Sequence, residues 1–192
     1  MNTVLEYKES NIHAKLGGLP PQARVAFALA CCQRVLSLCT RTGNRVNDGL
    51  AREVQNTMAQ VWKELLLGQA DAGKGGARLE EWLGFLESLP SDSDDDIEDI
   101  VAAIVYTLRC HQTGAVSECA LLARRAYECA DRIVVSGHCG PLTTASERAV
   151  LQHPLIQAEL AAQEASLATL QEAHVSNRLP IVLRRLQSSL SC

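Results

Sequence analysis

The sequence predicts an all-α protein, a single-domain bundle of eight or nine helices that covers residues 1–192. Apolar residues recur at steps of three and four almost throughout, and no segment alternates apolar and polar residues for the length of a strand. Aromatic residues make up 4% of the chain, so Leu, Ala, Val and Ile must fill the core, a composition that favours helix over sheet. At 192 residues the chain is long enough for one proper core, which buries roughly 70% of the unfolded surface.

Glycine and proline divide the first half of the chain into four predicted helices. Their apolar stripes cover residues 4–16, 25–39, 50–65 and 79–86. Pro20-Pro21 opens the second helix, because a proline in the first turn loses no helical hydrogen bond. The breaks after these four helices are Gly17-Gly18, Gly43, the predicted loop 68–76 (GQADAGKGG) and Pro90.

The second half of the chain begins with the most apolar predicted helix. Residues 97–108 carry a wide apolar face, which is typical of a helix near the centre of a bundle. Further along, Thr144 and Glu147 stand in the capping-box relation and predict the start of a short helix. The other predicted features are a helix over 119–134, a break at 137–141 (GHCGP), an interruption at His153-Pro154, and helices over 155–170 and 180–190.

Charge and hydropathy exclude several classes of partner. The formal net charge is −4 and the basic residues are scattered, whereas nucleic-acid binding needs a clustered cationic surface. The first residues lack the features of a secretory leader, and no window approaches 18 consecutive apolar residues. We therefore expect a cytoplasmic protein that binds neither nucleic acid nor membrane.

The eight cysteines predict buried thiols and neither a metal site nor a cofactor. They are Cys31, Cys32, Cys39, Cys110, Cys119, Cys129, Cys139 and Cys192. Cys32 and Cys39 share the inward stripe of one helix, where a reduced thiol serves as a small apolar side chain. No Cys-x-x-Cys or His-x-x-x-His spacing occurs, and the pairs Cys110-His111 and His138-Cys139 are expected at far ends of successive helices. The chain also lacks a recognisable catalytic motif, so we expect no enzymatic activity.

The most distinctive surface is the acidic run at residues 91–100 (SDSDDDIEDI). Its carboxylates are Asp92, Asp94, Asp95, Asp96, Glu98 and Asp99. The sequence leaves three interpretations open: a solvated helix cap, a partner-binding patch, or a weak divalent-cation site. The cap would be Ser91, Asp92 or Ser93, and an EF-hand is excluded because its glycine is missing. Arg124-Arg125 and Arg184-Arg185 are expected at the surface, with pairing against the acidic run as the alternative.

Several segments occur in the same order as in a known family. They are LPPQARVAFALACCQRV, a helix with VWKELL, the run SDSDDDIEDIVAAIVYTL, and SERAVLQHPLIQAELAAQEASLATLQ, in which Pro154, Glu159 and Gln163 match a shared pattern. From about Leu19 to Leu190 the chain resembles the YjaG-like family of bacterial helical proteins, a domain of unknown function. The resemblance implies an all-α, soluble, cytoplasmic protein and supplies no reaction. Helical domains of this kind also resemble the immunity proteins encoded beside polymorphic toxins.

Together these features predict a non-catalytic protein-binding module, specifically an immunity protein that neutralises a cognate antibacterial toxin. The six carboxylates of the acidic run would bind a basic cleft on the toxin, where an acidic surface speeds encounter and mimics phosphate. The alternative is a helical scaffold or self-assembling protein, and a homo-oligomer is compatible with either function. A third hypothesis is an enzyme that uses a cysteine or histidine.

Overall fold

The computed structural model describes residues 4–41, 46, 48–68, 72–137 and 144–190. Within this part of the chain there are nine α-helices and no strand, which confirms the all-α prediction. The helices are α1 (Glu9–Gly17), α2 (Pro21–Arg41), α3 (Asp48–Leu67), α4 (Ala72–Ser88), α5 (Asp95–Thr113), α6 (Val116–Ser136), α7 (Thr144–Leu151), α8 (Pro154–Val175) and α9 (Leu179–Leu190).

Three helices, α2, α5 and α6, form the centre of the bundle. Each packs against the other two, and the remaining helices surround them. The largest fully buried side chain, Phe27, lies on α2, and Ile104 and Leu108 of α5 are also fully buried. The prediction of a central helix over residues 97–108 is therefore confirmed for α5, which shares that position with α2 and α6.

Helix α2 is apolar on almost every side because other helices surround it. By length and composition it is the one helix in the described part of the chain that would suit a membrane span. However, 67% of its most apolar window is buried inside the protein, and a core helix of a soluble protein meets the same two criteria.

The turn between α5 and α6 is locked against the start of α2. Gly114 has φ +64°, and a Cβ there would lie 3.0 Å from the Cβ of Pro21, so both the backbone and the packing require glycine. The Arg24 guanidinium donates hydrogen bonds to the carbonyls of Gly114 (2.8 Å) and Leu16 (3.0 Å). These contacts hold α1, α2 and the α5–α6 turn in one arrangement.

Two predicted boundaries are wrong. Helix α1 begins at Glu9, and Leu5 instead lies in a segment held against α8 through hydrogen bonds with Gln157 (2.8 and 2.9 Å). Helix α4 begins at Ala72, inside the predicted loop 68–76. A glycine within a helix costs about 1 kcal/mol, which packing of α4 on α5 offsets. Helix α6 ends at Ser136, as the predicted break at 137–141 requires, whereas residues 138–141 and the predicted break at Gly43 lie outside the described residues.

Candidate functional site

The acidic run forms the start of α5, and one of its carboxylates caps the helix. Asp94 has extended backbone angles (φ −68°, ψ 130°), and its Oδ1 accepts a hydrogen bond from the backbone N–H of Asp96 at 3.0 Å. The predicted caps Ser91, Asp92 and Ser93 are wrong because the helix begins at Asp95, which makes Asp94 the preceding residue.

Two other carboxylates of the run are turned into the protein. Asp96 and Asp99 are only 4% and 6% exposed. Arg132 of α6 donates to Oδ1 of Asp96 (2.6 Å) and to Oδ2 of Asp99 (2.8 Å), and Arg125 donates to Oδ1 of Asp99 (2.9 Å). We call these four residues the carboxylate–arginine cluster. Its charges balance, so the two aspartates are accommodated inside the bundle.

The arginines of this cluster are held in their charged form. Burial alone would lower the pKa of Arg132, but its hydrogen bonds to Asp96 and Asp99 raise that pKa above the ordinary value. Burial also lowers the pKa of Arg125, but the charge and hydrogen bond of Asp99 outweigh burial, so the pKa of Arg125 is raised overall. The alternative that Arg125 pairs with the acidic run is therefore confirmed.

The sequence analysis did not identify Arg132, and it did not predict that Asp96 and Asp99 are buried. A signal was present, because Asp96 and Asp99 lie at helical spacing from Ala103 on the buried stripe of α5. Arg125 and Arg132 are seven residues apart, so they project from one face of α6. Charged residues at core positions of two neighbouring helices predict ion pairs between those helices, because charged side chains are rarely buried unless they are paired.

The remaining carboxylates of the run, Asp92, Asp95 and Glu98, are exposed, and we call them the acidic rim. Glu98 accepts a hydrogen bond from the Ser93 hydroxyl at 2.6 Å. In the described part of the chain, none of the three rim carboxylates lies within ion-pair distance of a basic side chain. The rim therefore carries uncompensated negative charge.

A groove of about 240 Å³ lies between the first turn of α5 and α6. Its lining consists of Asp95, Glu98, Asp99, Arg125, Glu128 and Arg132. Glu128 is ion-paired with Arg124 at 2.7 Å, and Asp99 is neutralised by the arginines below it. The free charge at the groove is thus that of Asp95 and Glu98, which suits a basic side chain presented from outside.

Another buried carboxylate, Glu64 of α3, connects three helices. Arg78 of α4 donates to both of its oxygens (2.7 and 2.8 Å), Gln60 donates at 2.9 Å, and a His111 ring nitrogen lies 3.0 Å away. Burial raises the pKa of Glu64, but the hydrogen bonds from Arg78, Gln60 and His111 outweigh it and lower the pKa below 4.5. His111, which belongs to the Cys110-His111 pair noted in the sequence, therefore contacts the Glu64 carboxylate and helps to hold α5 against α3.

The six cysteines in the described residues are all buried, as predicted. Burial raises the pKa of Cys31 and of Cys32 to about 12, so these thiols stay protonated and unreactive at neutral pH. Two pairs are close: the sulfurs of Cys110 and Cys119 are 2.7 Å apart, and those of Cys39 and Cys129 are 3.5 Å apart. His138 and Cys139 lie outside the described residues, so their predicted distance from Cys110-His111 stays a prediction. Cys192 lies outside the described residues as well.

Cys39 and Cys129 lie close to Asp99, which is a member of the carboxylate–arginine cluster. One potential ligand atom from each residue lies within 4.8 Å of the other two, and all three residues are buried. They come from α2, α6 and α5, and Cys39 and Cys129 are 90 residues apart in sequence. Spacing motifs of the Cys-x-x-Cys type cannot reveal a group that forms only when three helices pack.

Comparisons with protein-family models, with curated proteins and with solved structures found no match. The resemblance to the YjaG-like family and the immunity function both stay predictions.

Proposed function

We propose that this protein is a non-catalytic binding module that docks the acidic rim against a basic cleft of a partner protein. The observation that supports this proposal is the uncompensated charge of Asp92, Asp95 and Glu98, of which Asp95 and Glu98 line the groove. Capping accounts for Asp94, and internal ion pairs account for Asp96 and Asp99. Asp95 and Glu98 lie in the first turn of α5, where they complement the helix dipole, and Glu98 also accepts the Ser93 hydroxyl, but neither role supplies a countercharge.

Uncompensated like charges repel one another, and a partner that brings basic side chains relieves that repulsion. Charges at the edge of an interface act mainly by steering the encounter, so they raise the association rate and make it sensitive to salt. In the proposed complex, one arginine or lysine side chain of the partner enters the groove and contacts Asp95 and Glu98, which line it. The proposed contact is therefore acidic on this protein and basic on its partner.

The specific partner that we propose is a cognate antibacterial toxin, as the family resemblance suggests. A toxin that cleaves or modifies nucleotides has a basic active-site cleft, and an acidic helix start that occupies this cleft blocks it without any chemistry. The proposed mechanism is stoichiometric occlusion in the cytoplasm, with no cofactor.

The first experiment measures binding to the product of the neighbouring gene with a triple charge reversal, Asp92→Lys, Asp95→Lys and Glu98→Lys. The matched control reverses three exposed glutamates elsewhere, Glu80→Lys, Glu87→Lys and Glu172→Lys. Both variants change net charge by the same amount. We expect the rim variant to lose at least about tenfold in affinity, mostly in the association rate, and the control to stay within about threefold. Equal losses in both would contradict a specific role of the rim.

A growth assay tests the biological part of the proposal separately. Cells that express the neighbouring gene product should stop growing unless the wild-type protein is co-expressed, and the rim variant should protect poorly. If the gene product is harmless, the toxin assignment fails. If the protein then purifies only with itself across a range of salt concentrations, the scaffold alternative is favoured.

A further inference from the structure

The strongest chemical grouping outside the acidic rim is the buried trio Cys39, Cys129 and Asp99. Both cysteines are fully buried and Asp99 is 6% exposed. Their ligand atoms all lie within 4.8 Å of one another, and the two sulfurs are 3.5 Å apart. We propose that these three side chains bind a thiophilic divalent cation of the Zn²⁺ class.

The spacing of the sulfurs fits a tetrahedral metal ion. Zn–S bonds of about 2.3 Å place two sulfurs of a tetrahedral site about 3.8 Å apart. The observed 3.5 Å therefore needs an adjustment of only a few tenths of an ångström. Two thiolates and one carboxylate are a ligand set that zinc accepts, and the fourth position is left for a water molecule.

Electrostatic balance also favours a divalent cation at this position. The charges of Asp96 and Asp99 already balance those of Arg125 and Arg132. A divalent cation that displaces one proton from each thiol, with both protons passing to solvent, leaves the net charge of this buried region unchanged. A monovalent or trivalent ion with the same two thiolates would leave a net charge, which is costly in a low-dielectric interior.

The same arginines that neutralise Asp99 would also orient it as a ligand. Arg125 and Arg132 hydrogen-bond to different oxygens of the Asp99 carboxylate, and outer contacts of this kind hold metal-ligating carboxylates in place. Asp99 also lines the groove beside the acidic rim, so one of the three proposed ligands borders solvent. This inference does not depend on the proposed partner.

The test uses the full chain, purified under reducing conditions and freed of metal with a chelator. Co²⁺ serves as the spectroscopic probe, because thiolate ligation produces a sulfur-to-cobalt charge-transfer band, and Zn²⁺ competition gives the affinity. We expect one equivalent of Co²⁺ to bind with this band, and Zn²⁺ to displace it. Absence of thiolate-bound Co²⁺ in the folded wild-type protein would overturn the proposal.

Paired serine variants locate the site. Cys39→Ser with Cys129→Ser should abolish the charge-transfer band and weaken Zn²⁺ binding about a hundredfold or more. Cys110→Ser with Cys119→Ser removes the other close pair of buried thiols, so it is the matched control and should retain both signals. Loss of the band in the control alone would place the metal elsewhere and overturn the assignment.

The role of Asp99 is tested with Asp99→Asn, which should weaken Zn²⁺ binding by about ten- to a hundredfold while the sulfur-to-cobalt band persists. Asp95→Asn at the exposed neighbour should leave the affinity unchanged. Unchanged affinity in a folded Asp99→Asn variant would remove Asp99 from the ligand set. Circular dichroism of each metal-free variant verifies that the helices remain.

Discussion

The two sides of the acidic run have the same chemistry and opposite surroundings. Asp96 and Asp99 are buried against arginines of α6, whereas Asp92, Asp95 and Glu98 face solvent without a cation in ion-pair distance among the described residues. Within α5, the neighbouring residues Asp95 and Asp96 project in different directions, as do Glu98 and Asp99, whereas Asp92 precedes the helix. The comparison shows that a run of carboxylates is not one surface: its inner side stabilises the fold and its outer side is available to a partner.

The largest expected effect comes from breaking the inner side. Asp99→Ala should lower the free energy of unfolding by about 3 kcal/mol, because Arg125 and Arg132 would then have lost a buried partner. Asp95→Ala at the exposed neighbour should change it by less than about 0.5 kcal/mol. Urea denaturation in the presence of a chelator measures both. Similar values for the two variants would contradict the division of the run.

Glu64 is buried beside an arginine but lies outside the acidic run. Its substitution therefore tests whether burial beside arginine is enough to make a carboxylate stabilise the fold. Glu64→Gln should cost about 2 kcal/mol at neutral pH, because charge-assisted hydrogen bonds from Arg78 are lost. The pKa of Glu64 is lowered from 4.5 in the folded state, so its contribution is present above about pH 4.5 and is lost as the pH falls through the folded-state pKa.

Unfolding free energies of wild type and Glu64→Gln, measured from pH 7 down to pH 3, should therefore converge at the acid end. Glu80→Gln, at an exposed position of α4, is the control and should run parallel to wild type. A difference between wild type and Glu64→Gln that stays constant with pH would mean that the carboxylate charge does not matter at this position.

Asp94 lies between the two sides of the run, and its substitution should have an intermediate effect. Asp94→Ala should cost about 1 kcal/mol, because the backbone N–H of Asp96 loses its side-chain acceptor. Asn is about as good a cap as Asp, so Asp94→Asn should restore most of the loss. Thermal or urea unfolding decides the matter: if Asn is as damaging as Ala, the charge of Asp94 matters more than its hydrogen bond.

The smallest expected effect on stability belongs to the outer side. Reversal of Asp92, Asp95 and Glu98 to lysine turns their repulsion with the neighbouring carboxylates of the run into attraction, but it places positive charge near a helix N-terminus, and these changes partly offset each other. We expect a net change below about 1 kcal/mol in the free energy of unfolding and an unchanged helical circular dichroism spectrum. A loss of several kcal/mol would show that the rim is structural, and a loss of partner binding in that variant would then have a different cause.

Much of the helical framework could be predicted from the sequence, because a helix depends on residues within one or two turns of each other. The periodicity over 97–108 identified α5, and Pro20-Pro21 marked the start of α2. The prediction failed at Leu5 and at the start of α4, where contacts with distant helices outweigh local preference.

The sequence by itself determined the fold class, the buried state of the described cysteines and the presence of a concentrated acidic segment. Only the tertiary structure decided which carboxylates remain free. Asp96 and Asp99 meet arginines 26 to 36 residues away, and Cys39 meets Cys129 across 90 residues. Such pairs depend on how each helix is rotated about its axis when it packs on another, and that rotation results from the fit of all the core side chains together.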